Sequence, residues 1–256
     1  MPFDIRPGSA DIRACNRTAP NCLMCPASAN CLVGDAGHDS MLRWNSILQV
    51  QMSVAQGASI FDLGDVASAV FTVRAGCIKT FTVDHDGHER VRGFHLPGDI
   101  VGLDALGGER HVAHAIAVMP SQICRVPRAA LLKLLAETPS LMLRLVERLS
   151  SNLGSALTLA GDYSADQRVA AFLLSMQERL NPLPGAAAKL PMGRRDIANY
   201  LRMATETVCR VLTRFEQQGL IKTQERVFRV LNPAALYVLA EPVGICPSPE
   251  PLQMAA

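Results

Sequence analysis

The chain has 256 residues, of which 49% are hydrophobic and 19% are charged, and its formal net charge is +2. This composition is typical of a folded protein with one large or two modest domains, and it excludes global disorder. No apolar run reaches the roughly 18 residues that a membrane span needs, and the first residues lack the apolar stretch of a signal peptide. We therefore expect a cytoplasmic protein whose eight cysteines stay reduced and serve metal binding, redox chemistry or packing.

Three cysteines lie within ten residues near the N-terminus: Cys22, Cys25 and Cys31. A disulfide uses two thiols, whereas a tetrahedral metal site or an iron–sulfur cluster uses four ligands, so a fourth ligand is needed. On spacing alone, a zinc site completed by His38 or Cys15 and an iron–sulfur cluster are about equally favoured. The surrounding segment, residues 1–40, is interrupted by proline and glycine and is predicted to be irregular.

Short, partly alternating apolar runs occupy residues 57–127, with Gly and Asp between them. Strands at a spacing of about 8–12 residues with such turn signals predict a β-sandwich or β-barrel. The sequence "DHDGHE" predicts a hairpin with Asp86 and Gly87 at its tip. We assign residues 41–136 to this β-domain.

A long helix is predicted at residues 137–163, with Pro139 near its start. Apolar and small residues step by three and four along it, which is the spacing of a coiled-coil seam. The seam residues are Val146, Leu149, Leu153, Ala156 and Ala160. This pattern favours a dimer interface between two copies of the chain, and packing against its own β-domain is the alternative.

Residues 164–240 begin with a further helix, "ADQRVAAFLLSMQERL", and then carry the strongest signal in the sequence. The segments "RRDIANYL", "RMA" and "TETVCRVLTRFEQQG" predict a short helix, a tight turn and a longer helix that Gly219 ends. The run "LIKTQERVFRVLN" predicts two short strands that form a wing. The predicted unit is therefore a winged helix-turn-helix, whose inward-facing residues are Val208, Val211, Leu212 and Phe215.

The outer face of the second helix has the residues to contact DNA. Arg210 can bond the O6 and N7 atoms of guanine, and Glu206 can accept a hydrogen bond from the N4 amine of cytosine. Residues 193–231 hold eight basic and four acidic residues, which indicates a surface that faces phosphate; a charged, solvated helical domain is the alternative. The residues that we expect to contact DNA are Glu206, Thr207, Cys209, Arg210 and Arg214.

The β-domain, the long helix and the winged helix-turn-helix follow one another in an order that resembles the CRP/FNR family of transcription regulators, and the resemblance covers residues 20–236. The pattern "ETVCR" is similar to Glu-Thr-x-Ser-Arg in the FNR branch, with Cys209 in place of Ser. The blocks "GFHLPGDIVGLDAL" and "RRDIANYL" also resemble FNR-branch sequence. The resemblance implies an α+β fold with a cyclic-nucleotide-binding-type β-barrel, a long dimerisation helix and a C-terminal winged helix-turn-helix.

The resemblance also implies a function, that of an oxygen-responsive regulator of anaerobic gene expression. A [4Fe–4S] cluster would be bound by Cys22, Cys25, Cys31 and Cys124. A homodimer would bind a palindromic operator in double-stranded DNA, and RNA polymerase would contact the hairpin residues Asp84, His85, Asp86 and Gly87. Cys77 and Cys246 are expected to have no role, and no arrangement of residues predicts an enzyme. A regulator of the same build that uses thiol chemistry, zinc or another ligand is the alternative.

Two departures from the family pattern bear on regulation. Members that bind cyclic AMP carry Gly-Glu and Arg-Ser pairs, where this chain has Leu103 and His111-Val112, so we expect no cyclic AMP binding. The resemblance implies an acidic side chain in the dimer helix, but Leu153 stands there. We therefore expect the cluster-free chain to dimerise more readily than its relatives. The tail, residues 241–256, is predicted to be disordered.

Overall fold

Eight strands in the N-terminal half form two antiparallel sheets in the computed structural model, which describes residues 21–34, 36–180, 183 and 185–240. The strands are β1 Val50–Val54, β2 Ser59–Phe61, β3 Ala69–Ala75, β4 Ile78–Val83, β5 Glu89–His95, β6 Ile100–Val101, β7 His114–Ala117 and β8 Ser121–Pro127. One sheet has the order β1–β8–β3–β6 and the other β2–β7–β4–β5. The predicted β-domain is thus built from two four-stranded sheets.

Two apolar cores lie among the described residues of the N-terminal unit, which spans Met1–Arg148. One core combines residues of both sheets, such as Val73, Ile78 and Ile123, none of which is exposed. The other joins the cysteine-bearing loop to the outer side of β3 and β8 and to three helices. These helices are α1 Gly37–Ile47, α2 Arg128–Glu137 and α3 Pro139–Ala160.

The helices agree only in part with the sequence-based predictions. The long helix predicted at residues 137–163 is observed as α3. Helix α1 was not predicted, and the expected boundary after residue 40 falls inside it. Helix α2 was also missed, because it follows β8 directly without a turn that would mark its start. Cys15, Cys246 and the predicted tail lie outside the described residues.

Gly98 allows the cysteine-bearing loop to pack closely on the turn between β5 and β6. Its φ angle is +97°, which side-chain-bearing residues rarely adopt. A Cβ atom on Gly98 would lie 2.5 Å from backbone atoms of Asn30. A larger residue at this position would therefore displace the loop that carries Cys31.

A second unit, Leu149–Ala256, contains the predicted winged helix-turn-helix. Its elements are α4 Ala165–Leu180, β9 Ala187–Lys189, α5 Arg194–Tyr200, α6 Thr205–Gln217, β10 Ile221–Gln224, β11 Val227–Val230 and α7 Pro233–Ala240. The strands form one sheet in the order β10–β11–β9. All four residues predicted to face inward from α6 are buried, and Gly219 follows the helix with φ +68° as expected.

Substitution of Phe215 by Ala should destabilise this unit, because the phenyl ring is completely buried. We expect the free energy of unfolding to fall by about 3–5 kcal/mol, measured by urea denaturation followed by far-ultraviolet circular dichroism. Leu231→Ala is the matched control, since that side chain is half exposed. Equal effects of the two substitutions would contradict the assigned core.

Candidate metal centre and nucleic-acid interface

Four cysteine side chains line one cavity in the N-terminal unit: Cys22, Cys25, Cys31 and Cys124. Three belong to the loop that precedes α1, and the fourth lies in β8. Cys31 and Cys124 are buried, whereas Cys22 and Cys25 are partly exposed. The structure thus brings together the four cysteines that the resemblance implies as ligands, and their role as ligands stays a prediction.

Hydrogen bonds hold the first part of the cysteine-bearing loop in place. The backbone N–H of Cys22 donates to Oδ1 of Asn45, at 3.0 Å. Arg74, in β3, donates from its guanidinium to the carbonyl oxygen of Asn21 at 3.4 Å. The loop therefore contacts both α1 and β3 next to its first cysteine.

Arg148 anchors the last part of the loop. This residue lies near the middle of α3, and its guanidinium donates to the carbonyl oxygen of Gly98 at 3.1 Å and to that of Asn30. Asn30 directly precedes Cys31, so Arg148 links the residue next to this cysteine to α3 in addition to the apolar core. Sequence reasoning missed this contact, because nothing in the spacing of Arg148 distinguishes it from a solvated helix arginine.

Burial raises the pKa of three of the thiols. Together with the neighbouring thiols, it raises the pKa of Cys22 to about 12 and that of Cys124 to about 11. Burial also raises the pKa of Cys31, and the positive charge of Arg148 opposes this rise. These thiols are therefore protonated at neutral pH until a metal displaces the protons. Arg74 lowers the pKa of Cys22 and of Cys124, so it supplies positive charge where thiolate charge would develop.

Four thiolates without oxygen ligands are typical both of structural zinc sites and of [4Fe–4S] binding, so the separation of the sulfurs has to distinguish the two. A tetrahedral zinc ion with Zn–S bonds of about 2.3 Å would hold its sulfurs about 3.8 Å apart. Among the described residues, however, no three cysteine sulfurs lie within 4.8 Å of one another. His38, the proposed alternative zinc ligand, is exposed and does not line the cavity.

Two residues at the cyclic-nucleotide positions, His111 and Val112, both contact Asp104. His111 is buried, and its ring stacks on Phe61 with 3.6 Å between ring centroids. Its Nδ1 atom lies 3.2 Å from Oδ1 of Asp104, and the backbone N–H of Val112 donates to Oδ2 of Asp104 at 2.7 Å. The ring of His111 is thus held by Phe61 and Asp104, and the absence of cyclic AMP binding stays a prediction.

The outer face of α6 presents the residues expected to contact DNA. Glu206, Cys209 and Arg210 are exposed, and Thr207 is partly exposed. The guanidinium of Arg210 lies against the hydroxyl of Thr207 at 3.4 Å, which leaves most of its donors available. Arg214 is different, because its guanidinium forms an ion pair with Asp166 of α4. Any contact of Arg214 with phosphate would therefore compete with this ion pair.

Glu216 makes a contact between α6 and the wing that the sequence does not predict. Its carboxylate accepts hydrogen bonds from the backbone N–H and the hydroxyl of Thr223, at 2.7 and 2.8 Å. Thr223 lies in β10, so the bonds fix the wing to the end of α6. The i, i+7 relation between the two residues crosses a turn, and no helix or strand periodicity predicts it.

Asp84 organises the hairpin turn between β4 and β5. Its carboxylate accepts hydrogen bonds from the backbone N–H groups of Asp86 and His88, at 3.1 and 2.9 Å, and these bonds lower its pKa. Its neighbours at the tip, His85, Asp86 and Gly87, are exposed. Asp84 therefore shapes the turn, and the exposed three are the residues that a partner could reach.

Comparisons with known proteins agree with this architecture. Residues 51–138 match a cyclic nucleotide-binding domain, and residues 167–239 match a Crp-like helix-turn-helix domain. The transcriptional activator protein FnrA of Stutzerimonas stutzeri is 32% identical over 91% of this chain and 97% of its own length. The regulatory protein HlyX of Actinobacillus pleuropneumoniae is 32% identical over 84% of this chain and 91% of its own length.

Two further relatives extend the comparison. The fumarate and nitrate reduction regulatory protein of Salmonella typhi is 29% identical over 87% of this chain and 91% of its own. The structure of FixK2 from Bradyrhizobium japonicum superimposes with a TM-score of 0.68 at 30% identity, covering 75% of this chain and 97% of its own.

The fold and the matched domains define a DNA-binding transcription regulator. The chain belongs to the CRP/FNR family and is similar to its FNR-like branch. In addition, no helix among the described residues is long and apolar enough to cross a membrane.

Substitution of Arg210 by Ala should weaken binding to a specific operator by about 1–3 kcal/mol and relax the preference at one guanine. Fluorescence anisotropy with a set of single-base operator variants would measure both effects. Lys222→Ala in the exposed wing is the control, since loss of a phosphate contact should weaken binding to every sequence and flatten its salt dependence. A uniform loss for Arg210→Ala would remove Arg210 from base recognition.

Proposed function

We propose that this chain is an oxygen-responsive transcription regulator of anaerobic gene expression that senses through a [4Fe–4S] cluster. The observation that carries the proposal is the convergence of four thiols on one cavity in a chain of the FNR-like branch. Cys22, Cys25, Cys31 and Cys124 would hold the cluster. When bound, the cluster supplies a redox-active group that oxygen destroys. The chain would work in the cytoplasm, where its DNA is found.

Arg148 supports a route from the cysteines to the dimer helix. Its two backbone acceptors belong to the cysteine-bearing loop and to the turn at Gly98, and the residue itself lies on α3. With Cys31 held as a ligand, the carbonyl group of Asn30 would be fixed and Arg148 would keep its position. If the loop relaxed, the Arg148 side chain would lose an acceptor, and the tendency of α3 to pair with a second copy would change.

An apolar stripe on α3 supports a homodimer. Val146, Leu149 and Leu153 are exposed by 48%, 41% and 61%, and Ala156 is also exposed. Ala160 continues the same spacing at the end of the helix. A second copy of the chain would cover this stripe, and the dimer would present two α6 helices to successive major grooves of a palindromic operator. RNA polymerase would contact the exposed hairpin tip at His85, Asp86 and Gly87, beside Asp84.

Substitution of each proposed ligand by Ser, one at a time, should abolish cluster retention. A serine oxygen is a poorer ligand for iron–sulfur clusters than a thiolate, and the other three cysteines cannot complete the set. Iron and sulfide assays and visible absorption after anaerobic purification would measure retention. Cys209→Ser is the matched control, since this cysteine is exposed in α6. If Cys124→Ser kept a full cluster, the proposed ligand set would be wrong.

Leu153→Asp should dissociate the cluster-free dimer that we expect. A leucine at the seam contributes roughly 1.5–3 kcal/mol through burial, whereas two aspartates would repel across the two-fold axis. Control by the cluster would then act more on dimer geometry than on assembly. Sedimentation of the cluster-free wild type at micromolar concentration, beside Leu153→Asp and the control Leu132→Asp on exposed α2 surface, would measure association. A purely monomeric wild type would refute this expectation.

A further inference from the structure

Thr72 carries a buried hydroxyl group that faces the cysteine cavity. The residue lies in β3, its side chain lines the same cavity as the four thiols, and only 7% of it is exposed. In the antiparallel pairing of β3 with β8, Thr72 is directly opposite Cys124. Among the described residues, its Oγ1 atom has no hydrogen-bond partner.

An unpartnered buried hydroxyl needs an explanation. It has lost its hydrogen bonds to water, and valine would fill the same volume at this strand position without that cost. The backbone carbonyls around Thr72 take part in the β3–β8 ladder. Ser28 aside, the other side chains that line the cavity and could accept a hydrogen bond do so through sulfur. A thiolate or a sulfide accepts a hydrogen bond far better than a protonated thiol does.

We propose that the hydroxyl group of Thr72 donates a hydrogen bond to sulfur at the Cys124 corner of the bound cluster and thereby sets how readily the cluster is oxidised. This inference rests on the proposed [4Fe–4S] function. Hydrogen bonds to cluster sulfurs withdraw electron density and raise the reduction potential. Arg74, two residues further along β3, adds positive charge on the same side of the cavity. Thr72 is thus a positioning and tuning residue rather than a ligand.

The test compares Thr72→Val, which removes only the hydroxyl, with Thr72→Ser, which keeps it. Each full-length variant is loaded anaerobically, and three quantities are measured: bound iron and sulfide, the midpoint potential of the cluster, and the rate of bleaching in air. We expect a more negative potential and about twofold to fivefold faster bleaching for Thr72→Val, and values close to the wild type for Thr72→Ser. Thr82→Val, on β4 of the other sheet, is the matched control.

The outcomes separate this inference from the function on which it rests. A loaded Thr72→Val protein with the wild-type potential and bleaching rate would overturn the hydrogen bond and leave the cluster intact. If Thr72→Val takes up no iron, Thr72→Ala is measured as well. Loss of iron from both variants, with retention in Thr72→Ser, would support a required hydroxyl group. A loaded Thr72→Ala protein with the wild-type potential and bleaching rate would overturn the proposed hydrogen bond. A wild-type protein that takes up no iron would overturn both proposals.

Discussion

The close packing of the cysteine-bearing loop on the β-domain is the constraint on which the candidate metal centre depends. Leu32 and Val33 are almost fully buried in the core that also contains Cys124 and Trp44. This burial brings a loop cysteine and a strand cysteine to the same cavity, although they are distant in sequence. Burial of apolar side chains thus positions the cysteine-bearing loop, and hydrogen bonds with Asn45, Arg74 and Arg148 fix its two ends.

The same loop contacts α1 through the bond from Cys22 to Asn45, and it contacts α3 through the bond from Arg148 to the residue before Cys31. Under the proposed function, a change in the ligand cavity would reach the helix that carries the exposed apolar stripe through this bond and the apolar core. In the DNA-binding unit, the core around Phe215 and the bonds from Glu216 to the wing involve none of the four proposed ligands.

Local sequence patterns predicted the DNA-binding unit well, because its helices obey the 3.6-residue period and a glycine marks the end of α6. The spacing of the three loop cysteines likewise predicted a metal site or an iron–sulfur cluster. Cys124 could be linked to them only through the family resemblance, since strand pairing between distant segments leaves no local signal. Helix α1 has few apolar residues to show a period, yet it contains Trp44, which is almost completely buried. Thr72, Arg148 and Glu216 act through contacts across elements, which sequence spacing does not encode.

The central claim is that the four thiols hold a [4Fe–4S] cluster rather than a single metal ion. Wild-type protein purified without oxygen, then assayed for iron, sulfide and zinc beside its visible absorption spectrum, tests this claim most directly. The account predicts a coloured protein with about four iron and four sulfide per chain, and loss of the colour in air. A colourless protein that contains one zinc ion per chain and no sulfide would contradict it.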